Sequence, residues 1–240
     1  MSERIDHQPG FILHARPWRE TSLIVEVFTA GHGRLGLVAR GARRPQSSLK
    51  ARLLPFQPMA LSWFGKGGLR TLHDAEWLGG QPMPQGTALM CGFYLNELLL
   101  RLLPTDDPHE VLYDLYQSTL LALAGGPVGD AAVDPQPALR RFELGLLSEL
   151  GYAQTLDRLA DGEAVRPEGR YRYVFGEGVL PAEAGTPHYS GGMLLDMAAG
   201  RWDNPETRSE AKQFMRALIQ HYLNDKPLLT RQLLRDLHAL

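Results

Sequence analysis

The sequence predicts an α+β fold: a five-stranded OB-type β-barrel at the N-terminus, then an all-α helical domain carrying a small hairpin insertion. Three observations predict it. Apolar residues alternate with the two-residue period of strands through the first 80 positions. Residues 79–86 (GGQPMPQG) then break the pattern with three glycines and two prolines. Beyond them the period becomes that of helices, about 3.6 residues. The expected division is 1–80 for the barrel and 81–240 for the helical domain, and 240 residues suffice for two cores.

Residues 11–15 read as a short first strand. Residues 22–29 (SLIVEVFT) are β-branched and aromatic, and end at Ala30-Gly31-His32-Gly33, where glycines supply positive φ for a turn. Residues 34–40 return as the third strand, and 57–64 and 69–77 pair across Gly65-Lys66-Gly67-Gly68. Five strands within 75 residues, closed by short turns, fit a Greek-key barrel of the OB type. A plain SH3-like barrel gives a similar pattern, so strand count alone does not separate the two. Residues 87–103 are apolar around most of their circumference and stop at Pro104, as a central buried helix would. Further helices are expected over 108–124, 138–150, 190–199, 206–223 and 227–237, with Gly151 as a C-cap and Ser190 as an N-cap. A loop is expected over 125–137 and a small hairpin over 171–180.

Charge is distributed unevenly. Between Glu26 and Asp74 stand eight basic residues and no acidic one: Arg34, Arg40, Arg43, Arg44, Lys50, Arg52, Lys66 and Arg70. Residues 1–80 hold 11 Lys/Arg against 6 Asp/Glu, and residues 81–240 hold 14 against 21, while the whole chain is nearly neutral at −2. A basic barrel joined to an acidic remainder suggests a surface for a polyanion; the plainer alternative is an ordinary solvated β-surface.

Bulk properties close off several classes. Cys91 is the only cysteine, which excludes an intramolecular disulfide and a cysteine-based zinc module. The N-terminal MSERIDHQPG has no apolar run for a signal peptide, and the longest apolar stretch is broken by Asn96, Glu97 and Arg101. The chain is expected to be soluble and cytoplasmic, with no membrane partner. The eight histidines show no H-E-x-x-H and no H-x3–5-H pair, so no metal and no cofactor are expected. Lys66 lies among glycines without the G-x-x-x-x-G-K-S/T pattern, and no G-x-S-x-G elbow occurs. No catalytic set rises above background, and a nucleotide hydrolase would need the phosphate loop and metal site that are missing. The expectation is a binding protein, not an enzyme.

OB-type barrels hold single-stranded nucleic acid with a basic groove and aromatic surfaces on which bases stack. Arg40, Arg43 and Arg44, with Lys50 and Arg52 beyond, fill the long connection after the third strand. Arg16, Trp18 and Arg19 form a second cluster between strands one and two. Trp18 either stacks on a base or caps the barrel end, whereas Trp63 and Phe56 read as core. In the third helix Arg140 and Arg141 sit beside Phe142 among leucines. Buried arginines are costly without carboxylates, so they either pair internally, with acids such as Glu97 or Glu143, or receive an acidic, apolar-ended peptide.

Several blocks together resemble the RecO recombination-mediator family. They are GFILHARPWRETSLIVEVFT (10–29), GRLGLVARGARR (33–44), LLPFQP (53–58), YLNELLLRLL (94–103), PALRRFELGLLSELGY (137–152) and KPLLTRQL (226–233). They occur in the family's order along essentially the whole chain. The resemblance implies an OB domain followed by a helical domain and no small-molecule turnover. It also implies binding of single- and double-stranded DNA, annealing of complementary strands, and loading of RecA, together with RecR, onto DNA covered by single-strand binding protein (SSB). The implied localisation is cytoplasmic and nucleoid-associated. The implied DNA face is Arg16, Arg19, Arg34, Arg40, Arg43, Arg44, Lys50 and Arg52, to which the reading of the residues adds Trp18. The implied site for SSB's acidic C-terminal tail is Arg140 and Arg141, with Lys212 and Arg216 on a later helix. Many members carry four cysteines of a zinc module near the equivalent of 155–190; this chain has none there, which implies a zinc-free branch. The rival from another class is a protein-interaction module whose basic barrel binds an acidic peptide instead of DNA.

Overall fold

A computed structural model describes residues 4–125 and 134–238. Five strands, β1 (Arg4–Trp18), β2 (Ser22–Thr29), β3 (Gly33–Ala39), β4 (Pro58–Phe64) and β5 (Leu69–Trp77), close into a barrel in the order β1-β2-β3-β5-β4. Every pairing is antiparallel except β3 with β5, and that parallel closure makes the barrel OB-type. A single helical turn, α1 (Leu49–Arg52), lies in the β3–β4 connection. So short an element leaves no periodicity to read in the sequence.

β1 is far longer than the five residues expected. Its first half pairs with β4 and its second half with β2. The outer half carries Arg4, Asp6, His7 and Pro9, all exposed, so apolar alternation does not reveal it. Ile12, Val25, Val27, Leu35, Leu37, Met59, Leu61 and Trp63 fill the barrel. The other face of β1 and β2 is buried too: Phe11 and Phe28 meet Tyr113 and Tyr116 at ring distances of 5.2–6.1 Å. This double burial explains why β2 reads as a nearly continuous apolar run. Phe56 is fully buried, as expected.

The remaining elements are α2 (Gly86–Leu102), α3 (Glu110–Leu123), α4 (Gln136–Glu149), β6 (Arg170–Val174), β7 (Gly178–Pro181), β8 (Tyr189–Ser190), α5 (Gly191–Ala198), α6 (Pro205–Tyr222) and α7 (Leu229–His238). The hairpin and all the expected helices are present; the expected loop lies largely outside the described residues. The chain forms two compact units, residues 1–133 with 227–240, and residues 134–226. In the second, Leu147, Tyr171, Met193, Trp202, Phe214 and Leu218 belong to one core. Ser190 caps α5, its Oγ accepting from the Met193 N–H at 3.2 Å and donating to Glu210 at 2.9 Å.

In the first unit α2 carries two polar residues that organise its neighbours. Asn96 donates to the Leu13 carbonyl at 2.9 Å and accepts from the Tyr116 hydroxyl at 2.6 Å. Glu97 accepts from the backbone N–H groups of Leu229 and Thr230, each at 2.9 Å, and from the Thr230 hydroxyl at 2.7 Å. The carboxylate thus caps the start of α7 from another helix, with Arg101 at 2.7 Å. Burial alone would raise its pKa, but these donors and the Arg101 charge hold it below the usual 4.5.

A group with a lowered folded pKa stabilises above its unfolded value and loses that contribution as pH falls through the folded pKa. Glu97→Gln is therefore predicted to cost about 1–2 kcal/mol of stability at neutral pH, the range for lost caps and stranded buried donors. Urea unfolding across a pH series should show the gap to the parent chain closing below pH 4.5, the usual carboxyl value. A gap that stays constant down to strong acid would refute the capping role.

Candidate nucleic-acid interface

The ladders bring two connections to one end of the barrel. Trp18 pairs with Ser22, and Leu23 with Ala39, so the β1–β2 turn and the β3–β4 connection leave from adjacent strand ends. Gly41, at φ +70°, reverses the chain after β3; a Cβ there would find only the Arg44 side chain, at 3.5 Å. Ala42 is fully buried as the anchor of the reversal, while Arg40, Arg43 and Arg44 are exposed.

Arg43 ties the two connections together. Its N–H donates to the Thr21 carbonyl at 2.9 Å, and its guanidinium donates to the carbonyls of Arg19 and Glu20 at 3.2 and 3.3 Å. The Arg19 guanidinium lies 5.9 Å from the centre of the half-buried Trp18 ring, a cation–π geometry. Arg40, Gly41, Arg44, Pro45, Gln46 and Ser47 line a recess of about 680 Å³. Arg16, Arg40, Arg44 and Lys50 are exposed, and their side chains make no hydrogen bond or ion pair among the described residues. Glu20 is the one acidic residue in the two connections. Low-dielectric walls and cations with no counter-charge concentrate a positive potential at this end.

Two residues of the expected face are differently occupied. Arg52 on α1 donates to Asp74 and to the Ala75 carbonyl, both at 2.9 Å. Against the raising effect of burial, the Ala75 N–H and Arg52 hold the Asp74 carboxyl below its usual value. Arg34 stands at the opposite end of β3, about 20 Å from Arg40 at ~3.3 Å per residue. It donates to the Leu103 carbonyl at 2.9 Å and pairs with Glu26 at 3.3 Å. Nearby, Arg70 meets Asp106 at 2.5 Å, and a Cβ on Gly33 (φ +65°) would lie 1.9 Å from the Asp107 carbonyl oxygen. These residues clamp the α2–α3 connection to the barrel.

In the second unit Arg140 is 5% exposed and pairs with the fully buried Glu143 at 2.7 Å, one turn along α4. The internal partner is thus Glu143, not Glu97, which is engaged with α7. Arg141 is exposed on α4, and Lys212 and Arg216 are exposed one turn apart on α6.

Sequence reasoning missed a further feature. Ala51, Arg52, Leu54, Gln57, Met59, Trp77, Gln81 and Met83 line a largely apolar groove of about 490 Å³, in which Trp77 is 63% exposed. The available signal was Trp77-Leu78 at a strand's end, immediately before Gly79-Gly80. Among the described residues no group of three or more His, Cys, Asp or Glu could hold a metal ion, and no helix is long and apolar enough to cross a membrane.

Residues 1–81 match the family description "Recombination protein O N terminal", and residues 83–232 match "Recombination protein O C terminal". The chain belongs to the RecO family. It is 54% identical to the DNA repair protein RecO of Thiobacillus denitrificans, an alignment covering 99% of this chain and 94% of the relative. It is 50% identical to the RecO of Nitrosospira multiformis, covering 99% and 98% of the two chains. RecO membership gives the chain a role in recombinational DNA repair, in a family of mediators not known as enzymes.

Arg43→Ala is predicted to cost about 1 kcal/mol by releasing the 19–21 turn, whereas Arg44→Ala should stay within about 0.5 kcal/mol. Parallel urea melts compare the two, and equal costs would remove the tie assigned to Arg43.

Proposed function

We propose that this RecO protein binds single- and double-stranded DNA at the barrel end formed by the β1–β2 turn and the β3–β4 connection. There it anneals complementary strands and, with RecR, helps RecA load onto DNA covered by SSB. The observation that carries the reading is the group Arg16, Arg40, Arg44 and Lys50, exposed and without counter-charges in a region with one acidic residue. Binding there follows phosphate neutralisation and counterion release, which read no sequence. Annealing follows from lowering the repulsion between two backbones held on one positive surface.

The division of labour proposed is the barrel, residues 1–80, for DNA and the helical part, 81–240, for SSB. Arg141, Lys212 and Arg216 offer the acidic tail exposed first contacts. Arg140 is reached only by exchanging its Glu143 carboxylate, held through one oxygen at 2.7 Å, for the tail's terminal carboxylate, which a guanidinium can take bidentately.

Anisotropy of a labelled single strand of 30 nucleotides, titrated across a salt series, tests the DNA reading. The expected log–log slope is several units, about 0.7 per phosphate neutralised on a single strand. Replacing Arg40, Arg44 and Lys50 by Glu, which spares the Arg43 tie, should remove most of the affinity and flatten the slope by about 2. It should also abolish acceleration of pairing between complementary fluorescent strands. Undiminished binding by the triple variant would move the site elsewhere, and a flat salt response in the parent chain would favour an acidic peptide as the barrel's ligand.

A further inference from the structure

We propose that the groove beside α1 receives one unstacked base of a single DNA strand, with Trp77 as the surface on which it stacks. This rests on the DNA-binding reading above and names a ligand subsite within it.

The first support is the state of Trp77. A 63% exposed indole is unusual for so large an apolar group, and this one is held in place. Its Nε1–H donates to Gln57 Oε1 at 3.0 Å, Gln57 Nε2 donates to the Gln81 carbonyl at 3.2 Å, and Gln81 Nε2 donates to the Phe56 carbonyl at 2.9 Å. The indole's polar atom is therefore satisfied within the protein, and what remains for a ligand is the π-surface, preorganised by a chain of amides.

The second support is a pair of orphaned polar atoms. Gln81 Oε1 and Arg52 Nε are both buried without a hydrogen-bond partner among the described residues, and both residues line this groove. Buried polar atoms are nearly always satisfied, so two orphans on residues that line one groove supply a donor and an acceptor for a ligand's polar edge. One is an acceptor and the other a donor. Thymine and guanine present that complement along their pairing edges: a ring N–H beside a carbonyl.

The third support decides between a base and an apolar peptide. Ser47 lines the Arg40/Arg44 recess and Ala51, on α1, lines the groove only four residues on. Lys50 is exposed between them; of the acids on β5, Asp74 is paired with Arg52 at 2.9 Å and Glu76 lies 3.9 Å from His7. A strand whose phosphates follow Arg44 and Lys50 brings a base to Trp77, whereas a neutral apolar peptide gains nothing from that approach. The groove's volume of about 490 Å³ lies within the range of small-ligand pockets.

The test compares a thymidine 30-mer with an abasic 30-mer of the same charge, titrated with the full chain and with Trp77→Ala and Trp77→Phe. The parent chain should bind the thymidine strand more tightly and show quenched indole emission on binding. Trp77→Ala should weaken thymidine binding by about 5- to 150-fold, as loss of one stacked base does, and leave abasic binding unchanged. Trp77→Phe should retain most of the affinity, which guards against a folding defect, as do matched melting curves. Equal affinity of the parent chain for the two strands overturns the subsite while leaving the basic-loop reading standing. Unchanged thymidine binding by Trp77→Ala also overturns it and hands the groove to a peptide. No binding of either strand overturns the DNA reading and the subsite together.

Discussion

The bulge in β1 between Ile12 and His14 leaves Leu13 outside the β1–β2 ladder, with its carbonyl buried and in need of a donor. Asn96 supplies it, and the Tyr116 hydroxyl fills the other end of the amide. One side chain therefore joins the barrel, α2 and α3, in surroundings where an unmet polar group would be expensive and a met one is correspondingly directional. The positions of the two helices follow from it. With α2 fixed, the adjacent Glu97 is placed to cap α7, and the Leu103 carbonyl at the end of α2 is placed to accept from Arg34.

These attachments divide the barrel's two ends. The end carrying the β2–β3 turn is taken by the α2–α3 connection, which absorbs Arg34 and Arg70 into structural pairs. The opposite end keeps its cations exposed. Of the basic residues without an acid between them, Arg34, Arg52 and Arg70 are thus held in ion pairs, while Arg40, Arg44 and Lys50 stay exposed. The same chemistry appears buried in α4, where Arg140 and Glu143 neutralise one another. A buried pair of that kind contributes little net stability, but removing either partner would strand the other.

Much of this was legible in the sequence, and the failures have physical causes. Alternation revealed strands with one apolar face and missed the outer half of β1, where only Ile5 packs on the barrel core and Arg4, Asp6, His7 and Pro9 are exposed. The OB closure depends on the parallel β3–β5 pairing, a long-range fact that strand count cannot contain. The basic cluster was visible because the acid-free run is long. The occupation of Arg34 was readable only through hairpin register: Arg34 pairs with Phe28 and Glu26 with Gly36, which makes the two charges diagonal neighbours. The Arg140–Glu143 pair was foreseeable from its spacing of three. Trp77 was not, because a strand-end aromatic reads as core until the neighbouring linker is seen to leave it open.

The Glu97 cap also bears on the order of events during synthesis. Its partners in α7 lie 132 and 133 residues later in the chain. At translation rates of about 5–20 residues per second, roughly 7–26 seconds separate the carboxylate from the groups it will hold. In that interval the whole of residues 134–226 emerges, a unit with its own core. The first unit to begin is thus the last to be completed. A ribosome that stalls after the second unit would display a folded domain beside one still waiting for its closing helix.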